Sequence, residues 1–367
     1  MIEISMDRYL YKNNKNRRYY LSKDFAYHSK LNVSIFDNCI IKPITYYSHD
    51  GEMIVDVNVE VGGSDHQSIN STLNPVIYIG EFYTAHYGNF LIDYLSRIWF
   101  RDNDVHLVYV SKKLCIEKSA SLMHILKYLH IPKNNLHRIT ESTLFPQVYV
   151  PERSMIHDRY VTEQYAQIYE NIWKSITEFN DVSKIKTYDK IYVTRRKLKK
   201  HKEIGEYIFE RFFKMNGFEV IAPETLSFEE QVCLFRNAKE IASIEGTHAH
   251  NIIFKGTSRD PYRQIILSKQ SEVIPRQIQL NQITGGEAIW IDVYCEPFKG
   301  FPISHDRGPF LLKWNEQIEQ YAHDNHMILP KFRRIYAIPN MIIYICKCIG
   351  YWLKHNIKRV YLKIKSK

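Results

Sequence analysis

The sequence contains no C-x-x-C pair and no cluster of Cys and His at zinc spacing. Its six cysteines, Cys39, Cys115, Cys233, Cys295, Cys346 and Cys348, are scattered over 367 residues. This excludes a zinc finger and a disulfide-stapled scaffold, and the expectation is free buried thiols in a reducing compartment. Met1 to Leu10 carries Glu3, Asp7 and Arg8 and lacks an apolar core, so no secretory signal peptide is expected. Internal repeats and low-complexity tracts are absent. No acidic residue follows Asp324, whereas ten basic residues do, from Lys331 to Lys367. The other 40 Lys and Arg balance the 40 Asp and Glu, so the chain is a neutral body with a basic tail. That distribution argues against a nucleic-acid groove across the body.

What is present suits two globular domains, with 45% hydrophobic and 25% charged residues. The 27 tyrosines suit sugar rings, but they suit ordinary packing too and carry little weight for function. Residues 1–75 read as a β-rich segment packing on a first domain. From Pro75, short apolar runs alternate with helical patterns. Strands are expected at 76–80, 105–110, 136–139 and 147–150, and helices at 86–100, 120–129 and 162–179. The polar stretch Ser183 to Asp189 marks a boundary. A second series follows, with strands at 190–194, 218–221, 239–244, 264–267 and 288–293. Helices are expected at 202–216, closed by Gly217, and from Ser227, with Glu230 completing a capping box; a further helix is expected from Glu272. Strand–helix alternation predicts parallel sheets covered by helices, an α/β protein. The domains are therefore read as 1–75, 76–185, 186–300 and 301–367.

Four segments carry candidate chemistry. Glu245-Gly246-Thr247-His248-Ala249-His250-Asn251 follows a buried strand and opens a helix. Free N–H groups there attract anions, and the side chains add donors; a tight turn with capping residues is the alternative. Thr194-Arg195-Arg196 also leaves a strand, where two arginines can grip a diphosphate; a solvated basic loop is the alternative. Glu224 ends another strand and can hold ribose hydroxyls or simply cap a helix. Glu81, His86 and Asp93 are candidate general bases. Asp93 and Arg97 can also form an ordinary i, i+4 helix pair.

These segments resemble, in order and spacing, the motifs of glycosyltransferase family 61, which includes bacterial capsular polysaccharide enzymes. The matching residues are Ile191-Tyr-Val-Thr-Arg-Arg196, Lys202 to Glu206, Gly217-Phe218, Pro223-Glu224, Glu230-Gln231, Ala238-Lys239, Glu245 to Asn251, and Gly88 to Arg97 upstream. The resemblance implies a GT-B fold, two Rossmann-like domains facing a central cleft. It further implies inverting transfer from a nucleotide-sugar donor to a glycan acceptor without a metal or other cofactor. Arg195, Arg196, Glu224, Glu245, Gly246, Thr247, His248, His250 and Asn251 become donor-binding candidates, with Asn89 and Arg97 on the acceptor side. Where the family commonly has His after Gly88, this chain has Asn89, which cannot serve as a base. His86, Asp93 or Glu81 must then act, or the chain is a non-catalytic glycan-binding or assembly protein on the same fold.

The tail from about Ile338 is expected to be an amphipathic helix. Lys347, Lys354, Lys358 and Lys365 line one side, with Ile345, Ile349, Trp352 and Val360 near the other. The apolar stretch Met341 to Leu353 is too short to cross a bilayer. Its partner is expected to be an anionic membrane surface, placing the protein peripherally on the cytoplasmic face; docking on the protein body is the alternative.

Overall fold

The structure is a computed structural model. It describes residues 30–41, 73–82, 87–102, 105–111, 120–157, 159–199, 201–258, 260–271, 275–301, 303, 307–331, 334–335 and 337–365. It also describes short strands at 2–4, 10–11, 19–21, 59–61 and 69–70.

Two predominantly parallel sheets form the body. The first contains β1 (Val33–Ile41), β2 (Val76–Glu81), β3 (His106–Val110), β4 (Leu136–Ile139) and β5 (Thr143–Pro151). Its parallel part runs β4-β3-β2-β5, and β1 closes it antiparallel to β5. The second sheet contains β6 (Lys190–Val193), β7 (Glu219–Ile221), β8 (Glu240–Ile244), β9 (Arg263–Ser268) and β10 (Glu287–Asp292). Its order is β7-β6-β8-β9-β10, all parallel, and Leu10–Tyr11 extends it beside β10. Among the described residues before 75, Val33–Ile41 joins the first sheet and Leu10–Tyr11 the second.

Helices cover these sheets: α1 (Tyr87–Ile92), α2 (Ala120–Tyr128), α3 (Glu163–Phe179), α4 (Glu206–Met215), α5 (Phe228–Asn237), α6 (Pro275–Ile283) and α7 (Glu316–Asp324), whereas α8 (Ala337–Lys365) packs on the separate strands Glu203–Ile204 and Phe310–Leu312. The second sheet buries both faces, as continuous apolar strands require. Ile191, Val193 and Ile241 join a large cluster that also holds Ile77 and Ile79 of the first sheet. Tyr192, Ala242 and Ile244 point the other way, onto Phe209, Phe212, Phe213 and Trp314. One continuous apolar layer therefore runs between the sheets.

Two expected helices are broken, each for a visible reason. The helix read over 86–100 ends at Ile92 and resumes as a 3-10 turn over Tyr94–Arg97. Its carbonyls are taken by outside donors. Tyr165 and Tyr169 hydroxyls donate to the Leu91 carbonyl, and the Ser154 amide and hydroxyl donate to that of Ser96. The helix read over 202–216 starts only at Glu206. Glu203–Ile204 instead pairs with Phe310–Leu312, and Gly205 turns at φ +98, where a Cβ would meet the Leu312 carbonyl oxygen at 2.6 Å.

Candidate active site

In the second sheet the strand order reverses between β6 and β8, the first and third strands of the series. Ligands of open α/β sheets bind at such a switch point, beyond the carboxyl ends of the strands. β6 delivers Thr194, Arg195 and Arg196 there, and β8 delivers Glu245 to His248. The two deliveries touch: Arg195 Nη1 donates to His248 Nδ1 at 3.0 Å. Gly246 makes the contact possible, since a Cβ on it would lie 2.7 Å from Arg195 Nη1. Because a guanidinium only donates, His248 is neutral with its proton on Nε2. Burial, and then Arg195 beside it, hold its pKa well below the usual histidine value.

A buried carboxylate fixes the arginine. Glu203 is 1% exposed and lies 3.1 Å from Arg195 Nε and 3.2 Å from Lys269 Nζ. Burial alone would raise its pKa, but Arg195 and Lys269 outweigh that and draw it down to about 2. Lys269 directly follows β9, so three adjacent strand ends supply this cluster. Burial lowers the Lys269 pKa against the pull of Glu203. Glu206 sits beneath, accepting from the Arg195 amide at 2.9 Å and pairing with His201 at 3.0 Å.

The other sequence candidates separate into groups. His250 is buried and donates from Nδ1 to Gln277 Oε1 at 2.6 Å. Gln277 in turn donates to Gln264, whose amide donates to the Ala249 carbonyl. Asn251 and Glu245 are buried beside this turn, and Thr247 is half-buried at its start. Arg196 is not brought to Arg195. It leaves the strand on the other side, pairing with Glu210 at 3.0 Å and lying over the Tyr207 ring. Glu224 is exposed in the turn Pro223–Thr225 that follows β7, at the sheet edge.

The first sheet has its own reversal of order, between β2 and β5. Buried Glu81 ends β2, and Arg97 Nε donates to the Pro151 carbonyl at the end of β5, at 2.8 Å. Gly80 has φ +116, and a Cβ there would lie 3.3 Å from Arg97 Nη1. Burial, and then Arg153 nearby, push the Arg97 pKa down to about 10, so it stays charged at neutral pH. Asp93 does not pair with Arg97 as an i, i+4 partner; its Oδ1 lies 2.7 Å from His157 Nε2. Asn89 is half-buried one turn earlier, its carbonyl accepting from the Asp93 amide. His86 lies outside the described residues.

The two clusters are joined. Thr247–Lys255 packs on α1, α3, α5 and α6. Tyr169 donates to Leu91 at the end of α1 and packs edge-on against Phe254. In α6, Gln277 holds His250 while Gln279 donates to the Ile156 carbonyl at 3.1 Å, next to His157. Lys269 and His157 escaped the sequence reading, because only their distant partners mark them.

A switch point lined by Arg, Lys and backbone turns is a place where α/β proteins can hold an anionic ligand. Residues 87–265 match the family model Glycosyltransferase 61, and this match identifies the protein as a glycosyltransferase. No curated protein matches the chain significantly.

Proposed function

We propose that this glycosyltransferase holds a nucleotide-sugar donor at the second switch point and transfers the sugar, with inversion, to a glycan hydroxyl near the first. The observation that carries the reading is the Arg195–His248 contact over Gly246, anchored by Glu203 and Lys269. It sets fixed donors where a leaving diphosphate gains charge, and preorganised donors of this kind lower the barrier most. The acceptor oxygen attacks the anomeric carbon, and the bond to the diphosphate breaks with its electron pair. Arg195, Lys269 and the neutral His248 Nε2–H supply the charge and donors that a metal would otherwise supply. The two sheets then correspond to the two facing domains of a GT-B enzyme, with the acceptor side formed by Glu81, Asp93 and Arg97.

The pathway we infer is synthesis of a capsular or other surface polysaccharide at the cytoplasmic face of a membrane. Its support is α8. Tyr344 and Cys348 dock this helix on Ile204 and Leu311, while Ile342 (57% exposed), Trp352 (62%) and Ile357 (68%) remain uncovered. Among the described residues no helix is long and apolar enough to cross a membrane. The uncovered side chains beside Lys347 and Lys354 suit a helix lying in the headgroup layer. Incubating the protein with UDP-, GDP-, CMP- and dTDP-sugars in excess EDTA, and measuring nucleotide release, tests the activity. Release from one donor is expected. Asn89 favours the alternative of a non-catalytic glycan-binding protein, for which no release would be seen with or without added manganese.

A further inference from the structure

We propose that His157 is the general base that takes the acceptor proton, and that Asp93 is its positioning residue. This rests on the reading of the chain as a sugar transferase acting by direct displacement.

Four observations converge. Asp93 is 8% exposed, and its Oδ1 lies 2.7 Å from His157 Nε2. An ionised carboxylate only accepts, so Nε2 carries a proton and, in the neutral ring a base requires, Nδ1 holds the lone pair. Nδ1 is enclosed and has no hydrogen-bond partner among the described residues. A buried lone pair without a partner is unfavourable, and a hydroxyl arriving there relieves it. The third observation is placement. His157 sits in the turn between the strands Met155–Ile156 and Tyr160–Val161, which α6 fastens through Gln279 to the Ile156 carbonyl. The same helix fastens the donor turn through Gln277 and His250. The fourth is that α1, which leads into Asp93, packs on Thr247–Lys255 of that same turn. One helix thus ties the turn that carries His157 to the turn proposed to hold the donor.

The carboxylate–imidazole pair has the logic of an oriented base: the acid fixes the tautomer and stabilises the imidazolium that forms. In the step, His157 Nδ1 takes the hydroxyl proton as the oxygen bonds to the anomeric carbon. The carbon–oxygen bond to the nucleotide breaks, and its electron pair leaves on the phosphate.

The test uses whichever of the UDP-, GDP-, CMP- and dTDP-sugars the wild type consumes, with water or saccharide as acceptor. His157→Ala and His157→Gln are expected to lose kcat by about 10²–10⁴-fold while the donor KM stays within about threefold. Added imidazole is expected to restore part of the His157→Ala rate. Asp93→Asn is expected to lose less rate and to gain nothing from imidazole. Wild-type kcat in His157→Gln, or a His157→Ala loss that imidazole leaves untouched and that follows a fall in donor affinity, overturns the base assignment while leaving the transferase reading intact. A wild type that consumes no donor removes the transferase reading and this assignment together.

Discussion

Arg195 Nη1 and His248 Nδ1 lie 3.0 Å apart, joining the ends of two neighbouring strands across the switch point of the second sheet. The contact fixes the tautomer of His248. His248 is therefore expected to stay neutral and protonated on Nε2 well below the ordinary titration range of histidine. Long-range proton–nitrogen correlation spectra of the ring, recorded as pH falls to about 5, check this. An imidazolium signal there would show that the contact does not persist in solution.

Gly246 is kept small by its neighbour. A Cβ there would lie 2.7 Å from Arg195 Nη1 and 3.3 Å from His248 Cε1. Arg195 cannot retreat freely, because Glu203 holds its Nε. Gly246→Ala should therefore weaken nucleotide binding about as much as loss of a charged hydrogen bond, roughly ten- to a hundredfold. Calorimetric titration against the wild type measures it. Unchanged affinity would place the nucleotide elsewhere.

Glu203 makes stability depend on acid. Its folded pKa of about 2 lies below the ordinary 4.5. The stabilisation is thus full above about 4.5 and is lost as pH falls towards the folded value. The shift corresponds to about 3 kcal/mol. Glu203→Gln should melt well below the wild type at pH 7, with the gap closing towards pH 2, because buried Lys269 and half-buried Arg195 lose their counterion. Parallel melting curves at both pH values would refute this.

Much of the frame was legible because its signals are local. Ser227 and Glu230 form the expected capping box, each partner three residues from the other. Gly217 closes α4 with φ +85. The strand ends carrying Arg195 and Gly246 were readable as apolar runs followed by polar residues. The side on which each residue leaves its strand was not: Arg195 turns to Glu203 and Arg196 to Glu210. Lys269 and His157 gave no signal, since the meaning of each depends on a carboxylate supplied by another element. The break after Ile92 was hidden for the same reason, its cause being hydroxyls of Tyr165 and Tyr169 on α3.

The uncovered part of α8 predicts membrane binding that salt weakens. The full chain should float with anionic vesicles, less so at high salt. A chain ending at Gly350 keeps Tyr344 and Cys348 docked on Ile204 and Leu311 but loses Trp352, Leu353 and Ile357. It should not float. Equal flotation of both, or of neither, would assign the helix a purely structural role.

The most direct test of the account is titration of the four classes of nucleotide sugar into the wild type and into Arg195→Ala. The account predicts that one donor binds the wild type and binds Arg195→Ala roughly ten- to a hundredfold more weakly, with the fold intact. Equal affinity in the two proteins would contradict a donor site at the second switch point.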